Sequence, residues 1–131
     1  MADKEYTKQV AEKRNNRDAG RKYEELAAGY LRNKGYVIRE QNFRAPSSEI
    51  DLIAERDGML VMCEVKYRST ERYGDPAEAV DIQKQKKICR AALYYYMKNR
   101  YGADRPCRFD VIAVYGDGTL RHVENAFDFI R

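Results

Sequence analysis

Two apolar-rich segments flank an Asp-Gly pair near the middle of the chain. Residues 49–54 read Glu-Ile-Asp-Leu-Ile-Ala, residues 60–66 read Leu-Val-Met-Cys-Glu-Val-Lys, and Asp57-Gly58 lies between them. A tight two-residue turn needs positive φ at both central positions, which Asp and Gly tolerate, so the pattern predicts a β-hairpin. The prediction constrains the fold strongly, because a two-residue turn also fixes which residues of the two strands face each other.

The hairpin register brings charged side chains together. It places Asp51 opposite Glu64 and Glu49 opposite Lys66. Because side chains alternate along a strand, these four project from one face, and Cys63 points from the other face into the core. Two carboxylates whose Cβ atoms lie about 5 Å apart repel each other. A divalent cation would remove that repulsion, so the face predicts a metal site; a surface of salt bridges is the alternative.

Composition places this hairpin in a small globular protein. The 131 residues suit one domain, and 44% hydrophobic with 35% charged residues suit a core beneath a very polar surface. We expect a cytoplasmic protein without membrane contact, because the sequence has neither a bilayer-spanning apolar run of about 20 residues nor a signal peptide. Three widely separated cysteines predict neither a disulfide framework nor a zinc–cysteine site.

The remaining periodicities predict the element order αβββαββ. The expected elements are a helix at 21–33, a strand at 36–42, the hairpin, a helix at 77–100, and strands at 109–115 and 119–123. Before them, residues 1–18 have no periodicity and read as a mobile leader, and residues 19–131 read as one domain. The face of the second helix predicted to point inward comprises Gln85, Ile88, Cys89, Ala92, Tyr95 and Tyr96.

Positive charge is concentrated in one part of the chain. The segment 84–108 holds eight basic residues and one acid, so its net charge is +7. The net charge of the whole chain is +4, so the remaining residues carry −3. This segregation predicts a polyanionic partner, and a solvated helix face is the alternative. The candidates for phosphate contacts are a stripe on the second helix and two arginines that flank the hairpin face: Lys84, Lys87, Arg90, Lys98, Arg44 and Arg68.

Several motifs together carry a resemblance to a known family. They are Gly20-x-x-x-Glu24-x-x-Ala27-x-x-Tyr30-Leu31, Asn42-Phe43-Arg44, Glu49-Ile50-Asp51-Leu52-Ile53-Ala54, Glu64-Val65-Lys66-x-Arg68 and Arg108-Phe109-Asp110-Val111. In order and spacing they resemble the UPF0102, or YraN-like, family of bacterial proteins. Asp51 followed by Glu64-x-Lys66 also resembles the D…(D/E)xK signature of the PD-(D/E)xK nucleases, which include Holliday-junction resolvases. Ser48 departs from the family, which usually carries Gly there.

The resemblance implies a fold and a chemistry. The expected fold is an α/β restriction-endonuclease-like core, αβββαβ, with a mixed central sheet flanked by helices. Asp51, Glu64 and the Val65 carbonyl would bind Mg²⁺ or Mn²⁺, hard cations that prefer oxygen ligands. Lys66 would orient the attacking water or stabilise charge on the phosphorane-like transition state. Glu24 resembles the family's helical acid and would bind the metal directly or through water.

Three further polar residues keep open roles. Glu49 is either an additional metal ligand or an ion-pair partner of Lys66. Asp110 is either a partner of Lys66 or a cap at a strand edge. His122, the single histidine, lies on the last expected strand, where a place at the edge of the core fits better than catalysis.

These features favour a metal-dependent endodeoxyribonuclease that hydrolyses phosphodiester bonds in structured or branched DNA. The alternatives are a non-catalytic nucleic-acid-binding module and an adaptor subunit of a DNA-processing complex. DNA is the expected partner, and the interpretation also allows a homodimer and a helicase or another DNA-processing protein. No Gly-rich phosphate loop or nucleophile elbow is present in the sequence, so neither ATP hydrolysis nor covalent hydrolase chemistry has support.

Overall fold

The computed structural model describes residues 20–69 and 75–131. Helix α1 covers residues 20–33. The other elements are β1 (Val37–Ala45), β2 (Ser48–Arg56), β3 (Met59–Arg68), a short 3₁₀ helix (Pro76–Ala79), α2 (Ile82–Lys98), β4 (Cys107–Tyr115) and β5 (Leu120–Phe127). This order confirms the predicted αβββαββ arrangement. The predicted leader over residues 1–18 lies outside the described residues.

The five strands form one mixed sheet in the order β1-β2-β3-β4-β5. Strands β1, β2 and β3 are antiparallel neighbours, β3 pairs with β4 in parallel, and β5 returns antiparallel to β4. A parallel pair needs a crossover connection, and α2 lies in the chain between β3 and β4. The architecture agrees with the expected restriction-endonuclease-like core, to which β5 adds an edge strand.

The β2–β3 hairpin has the predicted turn and register. Asp57 and Gly58 both have positive φ, at 53° and 81°. The paired residues run from Arg56 opposite Met59 to Leu52 opposite Cys63, which is the register that the Asp-Gly turn predicts. The site residues Asp51 and Glu64 therefore follow directly after the last of these pairs.

Each face of the sheet has its own apolar core. One cluster joins the sheet to α2 through residues such as Ile53, Met62 and Ile88. The other joins it to α1 and includes Leu31, Leu52 and Cys63. The predicted inward position of Cys63 is confirmed, since its side chain is fully buried.

The second helix is shorter than predicted. Instead of one helix over 77–100, the chain forms the 3₁₀ helix, breaks, and then begins α2 at Ile82. Two aspartates explain the break: the Asp75 carboxylate accepts a hydrogen bond from the Ala77 N–H at 3.0 Å, and Asp81 accepts one from the Lys84 N–H at 2.8 Å. Each caps a separate helix start.

The inward face of α2 is largely as predicted. Ile88, Cys89, Ala92 and Tyr95 are buried. Gln85 and Tyr96 are only half-buried, and the unpredicted Ala91 takes a core position. No helix among the described residues is long and apolar enough to cross a membrane.

Candidate active site

Asp51 is held in place by a backbone group of the neighbouring strand. Its Oδ2 accepts a hydrogen bond from the Val65 N–H at 2.8 Å. Asp51 follows the last pair of the β2–β3 register, so its side chain bridges two strands at the point where the site residues of β3 begin. A carboxylate that accepts a backbone N–H is restricted in orientation, and this one is fixed next to Glu64.

Glu64 is buried and contacts two lysines. Its side chain is 6% exposed, and its Oε1 lies 3.4 Å from the Lys66 Nζ and 3.6 Å from the Lys84 Nζ. Lys66 projects from the same strand two residues on, whereas Lys84 comes from the first turn of α2. The sequence predicted Lys84 as a phosphate contact on a stripe of the second helix; the structure also brings its amine against the Glu64 carboxylate. Lys66 pairs here with Glu64, not with Glu49 as the sequence suggested.

Electrostatics at the site disfavour two negative charges. Burial, followed by the negative charge of Glu64, raises the pKa of Asp51 to about 8, although the hydrogen bond from the Val65 N–H lowers it. The charge of Glu24 raises the pKa of Asp51 further, and that of Lys84 lowers it. The site thus lacks enough positive charge to keep both carboxylates ionised. The prediction of a cation from the sequence depended on such a shortage of positive charge.

Helix α1 brings Glu24 towards the same end of the sheet. Burial raises the pKa of Glu24, a hydrogen bond to Asn42 lowers it, and the charges of Glu49 and Glu64 raise it. Asn42 has φ of 52° within β1. Asn adopts this left-handed conformation more readily than most residues, so it tolerates the backbone geometry at this position of β1. The structure therefore gives the predicted acid a partner that the sequence did not reveal.

The donor set suits a cation that retains much of its water. Within residues 20–69 and 75–131, no group of three or more His, Cys, Asp and Glu side chains is arranged so that it could hold a metal ion. The predicted role of Glu24, which is to bind the metal directly or through water, stays a prediction. Mg²⁺ typically binds through one or two carboxylates and keeps several waters or substrate oxygens. Asp51 and Glu64 with the Val65 carbonyl are oxygen donors of that kind.

A polar cavity opens beside these carboxylates. It has a volume of about 370 Å³, and its lining includes Arg44, Ser47, Ser48, Glu49, Lys84 and Lys87. Arg44 and Glu49 face each other across the β1–β2 pair. Two of the predicted phosphate contacts, Arg44 from β1 and Lys87 from α2, thus line one cavity with the lysine that contacts Glu64.

Comparison with known proteins identifies the family of this chain. The model of the uncharacterised protein family UPF0102 matches residues 23–114, a stretch that contains Glu24, Asp51, Glu64, Lys66 and Lys84. The chain belongs to the UPF0102 family. A UPF0102 protein of Lachnoclostridium phytofermentans is 43% identical over 87% of this chain and 96% of its own length. One from Thermodesulfovibrio yellowstonii is 45% identical over 84% of this chain and 96% of its own length.

The other basic residues predicted to bind nucleic acid lie in different surroundings. On α2 of this UPF0102 chain, Lys87, Arg90 and Lys98 are exposed, and the Lys98 Nζ lies 5.8 Å from the Phe43 ring centroid. Arg68 is half-buried at the end of β3. Some of the positive charge of segment 84–108 is paired within the protein: Arg105 forms an ion pair with Glu55, and Arg108 forms one with Asp110.

Asp110 has a role that the sequence left open. It is fully buried, and its carboxylate contacts the Arg108 Nε at 3.0 Å, the His122 Nε2 at 2.7 Å and the Asn125 N–H at 3.0 Å. It pairs in register with Cys63, whose side chain faces α1, so Asp110 lies on the opposite face of the sheet from Lys66. Both roles considered for it are therefore wrong: it anchors a buried polar network in this UPF0102 fold.

His122 extends that network to α1. Its Nδ1 lies 3.1 Å from the Tyr30 hydroxyl, and the Arg108 guanidinium donates to the Tyr36 hydroxyl at 2.5 Å. The predicted place of His122 at the edge of the core is confirmed by its 6% exposed side chain. Only the Arg108-x-Asp110 spacing could have signalled the ion pair, since residues two apart on a strand share a face. The tyrosines come from distant segments without any local pattern.

Proposed function

We propose that the protein is a metal-dependent endodeoxyribonuclease acting on structured or branched DNA. The observation that carries the proposal is the carboxylate pair: Asp51 is fixed by the Val65 N–H, and Glu64 is contacted by Lys66. A structural salt-bridge surface would not need a buried acid, Glu64, so close to the half-buried Asp51 that its charge raises the pKa of Asp51. The motif match to the PD-(D/E)xK nucleases supports the same chemistry.

The residues divide the proposed reaction between them. Asp51, Glu64 and the Val65 carbonyl would hold Mg²⁺ or Mn²⁺. The chemistry that such an ion supplies when bound is polarisation of the scissile phosphate and a lower pKa of a bound water. Lys66, whose amine is 3.4 Å from Glu64, would orient the attacking water or stabilise the charge that develops on the phosphate oxygens. Lys84, whose amine lies 3.6 Å from the Glu64 Oε1, would hold the adjacent phosphate.

The cavity beside the carboxylates supports a path for the DNA backbone. Arg44, Lys84 and Lys87 supply positive charge around it. The Ser48 Oγ is buried and has no hydrogen-bond partner among the described residues. A hydroxyl in this position could donate to a phosphate oxygen, so the serine that departs from the usual family glycine adds a donor to the proposed path.

A DNA cleavage assay with a variant of Lys66 tests the proposed nuclease function. We expect the wild type to nick a four-way junction or a fork in Mg²⁺ or Mn²⁺. The cleavage rate of Lys66→Ala should be lower by at least about 100-fold. The affinity of this variant for the same DNA in EDTA should stay within about twofold of the wild type. Lys34→Ala, which alters an exposed lysine at the end of α1, is the matched control and should cleave normally.

The same assay separates the alternatives. If wild type and Lys66→Ala bind DNA equally and neither cleaves in either metal, the protein is a binding module or an adaptor for a helicase or another DNA-processing complex. A homodimer would present two such sites to the paired strands of a junction, and sedimentation of the protein with a four-way junction measures that stoichiometry.

A further inference from the structure

Two tyrosines stack on each other next to the candidate active site. The rings of Tyr23 and Tyr67 have centroids 4.3 Å apart and an interplanar angle of 9°. Tyr23 directly precedes Glu24 on α1, and Tyr67 directly follows Lys66 on β3. Because side chains alternate along a strand, Tyr67 faces α1 whereas Lys66 faces the carboxylates. The pair therefore lies at the end of β3, one residue away from two of the proposed site residues.

The outer ring of this pair is open to solvent. Tyr23 packs against the apolar core between α1 and the sheet, and Tyr67, stacked upon it, is 45% exposed. Other tyrosines of the fold, such as Tyr36 and Tyr95, are only 3% exposed. An exposed aromatic ring gains little from folding, so core packing accounts for Tyr23 but not for a second ring placed parallel to it.

The exposed ring is also held in position. A Cβ placed on Gly116 would lie 3.3 Å from the Tyr67 hydroxyl oxygen, so the hydroxyl end of Tyr67 packs closely against the chain there. With one face resting on Tyr23, the ring presents its other face in a fixed orientation. A rigid aromatic platform loses little conformational freedom when a flat ligand stacks on it.

Cations on the opposite side of β3 from the ring favour, as the ligand, a nucleic acid strand that crosses the end of β3. Lys66 and Arg68 flank Tyr67 on β3 and project from the other side of the strand, towards the carboxylates. An aromatic ring interleaved with cations is the combination by which proteins hold single strands, where the bases stack and the cations follow the phosphates. A base that remains paired inside a duplex has no free face to offer such a ring.

We propose that Tyr67, supported by Tyr23, is a stacking platform for an unpaired base next to the phosphate bound at the carboxylates. The inference rests on the proposed function for the position of that phosphate. It narrows the substrate class to DNA with unpaired nucleotides at the cleavage point, such as a fork, flap or gap.

The absence of tryptophan from the sequence permits a direct fluorescence test. The variant Tyr67→Trp carries a single indole on the platform, and Leu93→Trp, at a 55% exposed position on α2, is the matched control. In EDTA, so that no cleavage occurs, we expect a single-stranded thymidine oligonucleotide to quench the fluorescence of Tyr67→Trp by at least about half and that of Leu93→Trp much less. A blunt duplex and an abasic oligonucleotide of equal length should quench Tyr67→Trp weakly.

Affinity measurements provide a second, independent readout. Loss of one stacked base corresponds to about a tenfold change in Kd, so Tyr67→Ala should bind the single strand about tenfold more weakly. Tyr67→Phe should bind like the wild type, and affinity for a blunt duplex should stay within about twofold in both variants. The proposal is overturned if the abasic strand quenches Tyr67→Trp as strongly as the base-bearing strand, or if Tyr67→Ala weakens both DNA forms equally.

The two proposals fail in different ways. Quenching and tenfold weaker binding without any cleavage in Mg²⁺ or Mn²⁺ would keep the platform and remove the nuclease. Cleavage that depends on Lys66, combined with no base-specific quenching, would keep the nuclease and remove the platform.

Discussion

Asp51 lowers the stability of the folded protein. In the folded protein its carboxylate is either charged beside Glu64 or protonated at a pKa raised to about 8 by burial and that neighbouring charge. Both states are less favourable than a solvated carboxylate in the unfolded chain. Residues selected for chemistry commonly have this property, and replacing them commonly stabilises the protein.

We therefore predict that Asp51→Asn stabilises the protein in the absence of divalent ions. The amide oxygen can still accept the Val65 N–H, while the variant has neither a charge facing Glu64 nor a carboxylate that must take up a proton on folding. The gain in the free energy of unfolding at pH 7 should be on the order of 1–2 kcal/mol, measured by urea denaturation in EDTA.

Mn²⁺ should reverse the order of stability of the wild type and Asp51→Asn. It should raise the Tm of the wild type and leave that of Asp51→Asn nearly unchanged, because the variant lacks one of the proposed ligands. Asp104→Asn, at an exposed aspartate, is the control and should behave like the wild type. Equal Mn²⁺ shifts in all three proteins would argue against a metal at Asp51.

Asp110 is the opposite case, a buried carboxylate that the fold satisfies fully. Burial alone would raise its pKa, but hydrogen bonds from His122, Arg108 and the Asn125 N–H outweigh this effect and lower the pKa of Asp110 below its usual value. The folded state therefore binds this proton less readily than the unfolded chain does. Its contribution to stability is complete above the unfolded pKa, near pH 4, and is lost as the pH falls further.

The corresponding prediction concerns Asp110→Asn. At pH 7 the variant should lose about 3 kcal/mol, because the largely buried Arg108 guanidinium loses its buried anion and keeps only a 3.7 Å contact with the exposed Glu124 carboxylate. The difference from the wild type should narrow between pH 4 and pH 3, as the wild-type carboxylate becomes protonated. Urea denaturation at pH 7, 4 and 3 measures both effects. A difference that stays constant over this range would mean that the carboxylate charge is not what stabilises the network.

At the scale of elements, the β2–β3 hairpin carries most of the site. Its turn sets the register, and the register places Asp51 just beyond the Leu52–Cys63 pair. Helix α2 then supplies Lys84 from its first turn, beginning at the Asp81 cap. The site is thus built by two local structures that each have a clear signal in the sequence, and the sheet holds them in contact.

Two glycine variants, one in the hairpin turn and one in α1 as a control, are expected to change the free energy of unfolding in opposite directions. Gly58 has φ of 81°, and a Cβ there would meet no atom within 4 Å, so Gly58→Ala is penalised by backbone conformation alone. We expect a loss of about 1–2 kcal/mol in the free energy of unfolding. A Cβ at Gly29 in α1 likewise meets no atom within 4 Å, and the helix favours alanine there by about 1 kcal/mol.

Equilibrium unfolding of the two variants therefore tests the turn. Gly58→Ala should unfold at a lower urea concentration than the wild type, and Gly29→Ala at a higher one. If Gly58→Ala were neutral, the left-handed turn would not be what holds the register.

At the scale of the whole molecule, charge is arranged around the acidic site. Arg105 and Arg108 are paired with Glu55 and Asp110, so the free positive charge of the basic segment lies mainly on the outer side of α2. Because Lys84 touches Glu64, a variant at Lys84 would disturb the site as well as binding. Lys87 and Arg90 are exposed and report on DNA binding more cleanly.

We predict that Lys87→Ala combined with Arg90→Ala weakens binding to many DNA sequences about equally. The slope of log affinity against log salt should become shallower by roughly one unit for each lost phosphate contact. Binding isotherms at several salt concentrations in EDTA measure this, with Lys34→Ala as the control. An unchanged slope would mean that the outer side of α2 is a solvated face, and that the DNA backbone follows Arg44 and Arg68 instead.

The sequence by itself determined the hairpin, the order of the elements and the positions of Asp51, Glu64 and Lys66 along it. These features depend on contacts between residues close in the chain: a turn that needs positive φ, a two-residue side-chain period and a 3.6-residue helical repeat. Such rules act within a few residues and can be applied without knowing the fold. The second helix was predicted too long because the Asp75 and Asp81 caps divide a segment of continuous helical character.

Only the tertiary structure decided which distant side chains meet. It set Lys84 against Glu64, Asn42 against Glu24, Tyr23 on Tyr67 and the Tyr30–His122–Asp110 chain on the far face of the sheet. Each of these contacts joins residues at least 12 positions apart, and most join a helix to a strand. Which distant residues meet is set by how the two helices pack on the sheet. That packing depends on the sum of many apolar contacts, so no local sequence pattern encodes these pairs.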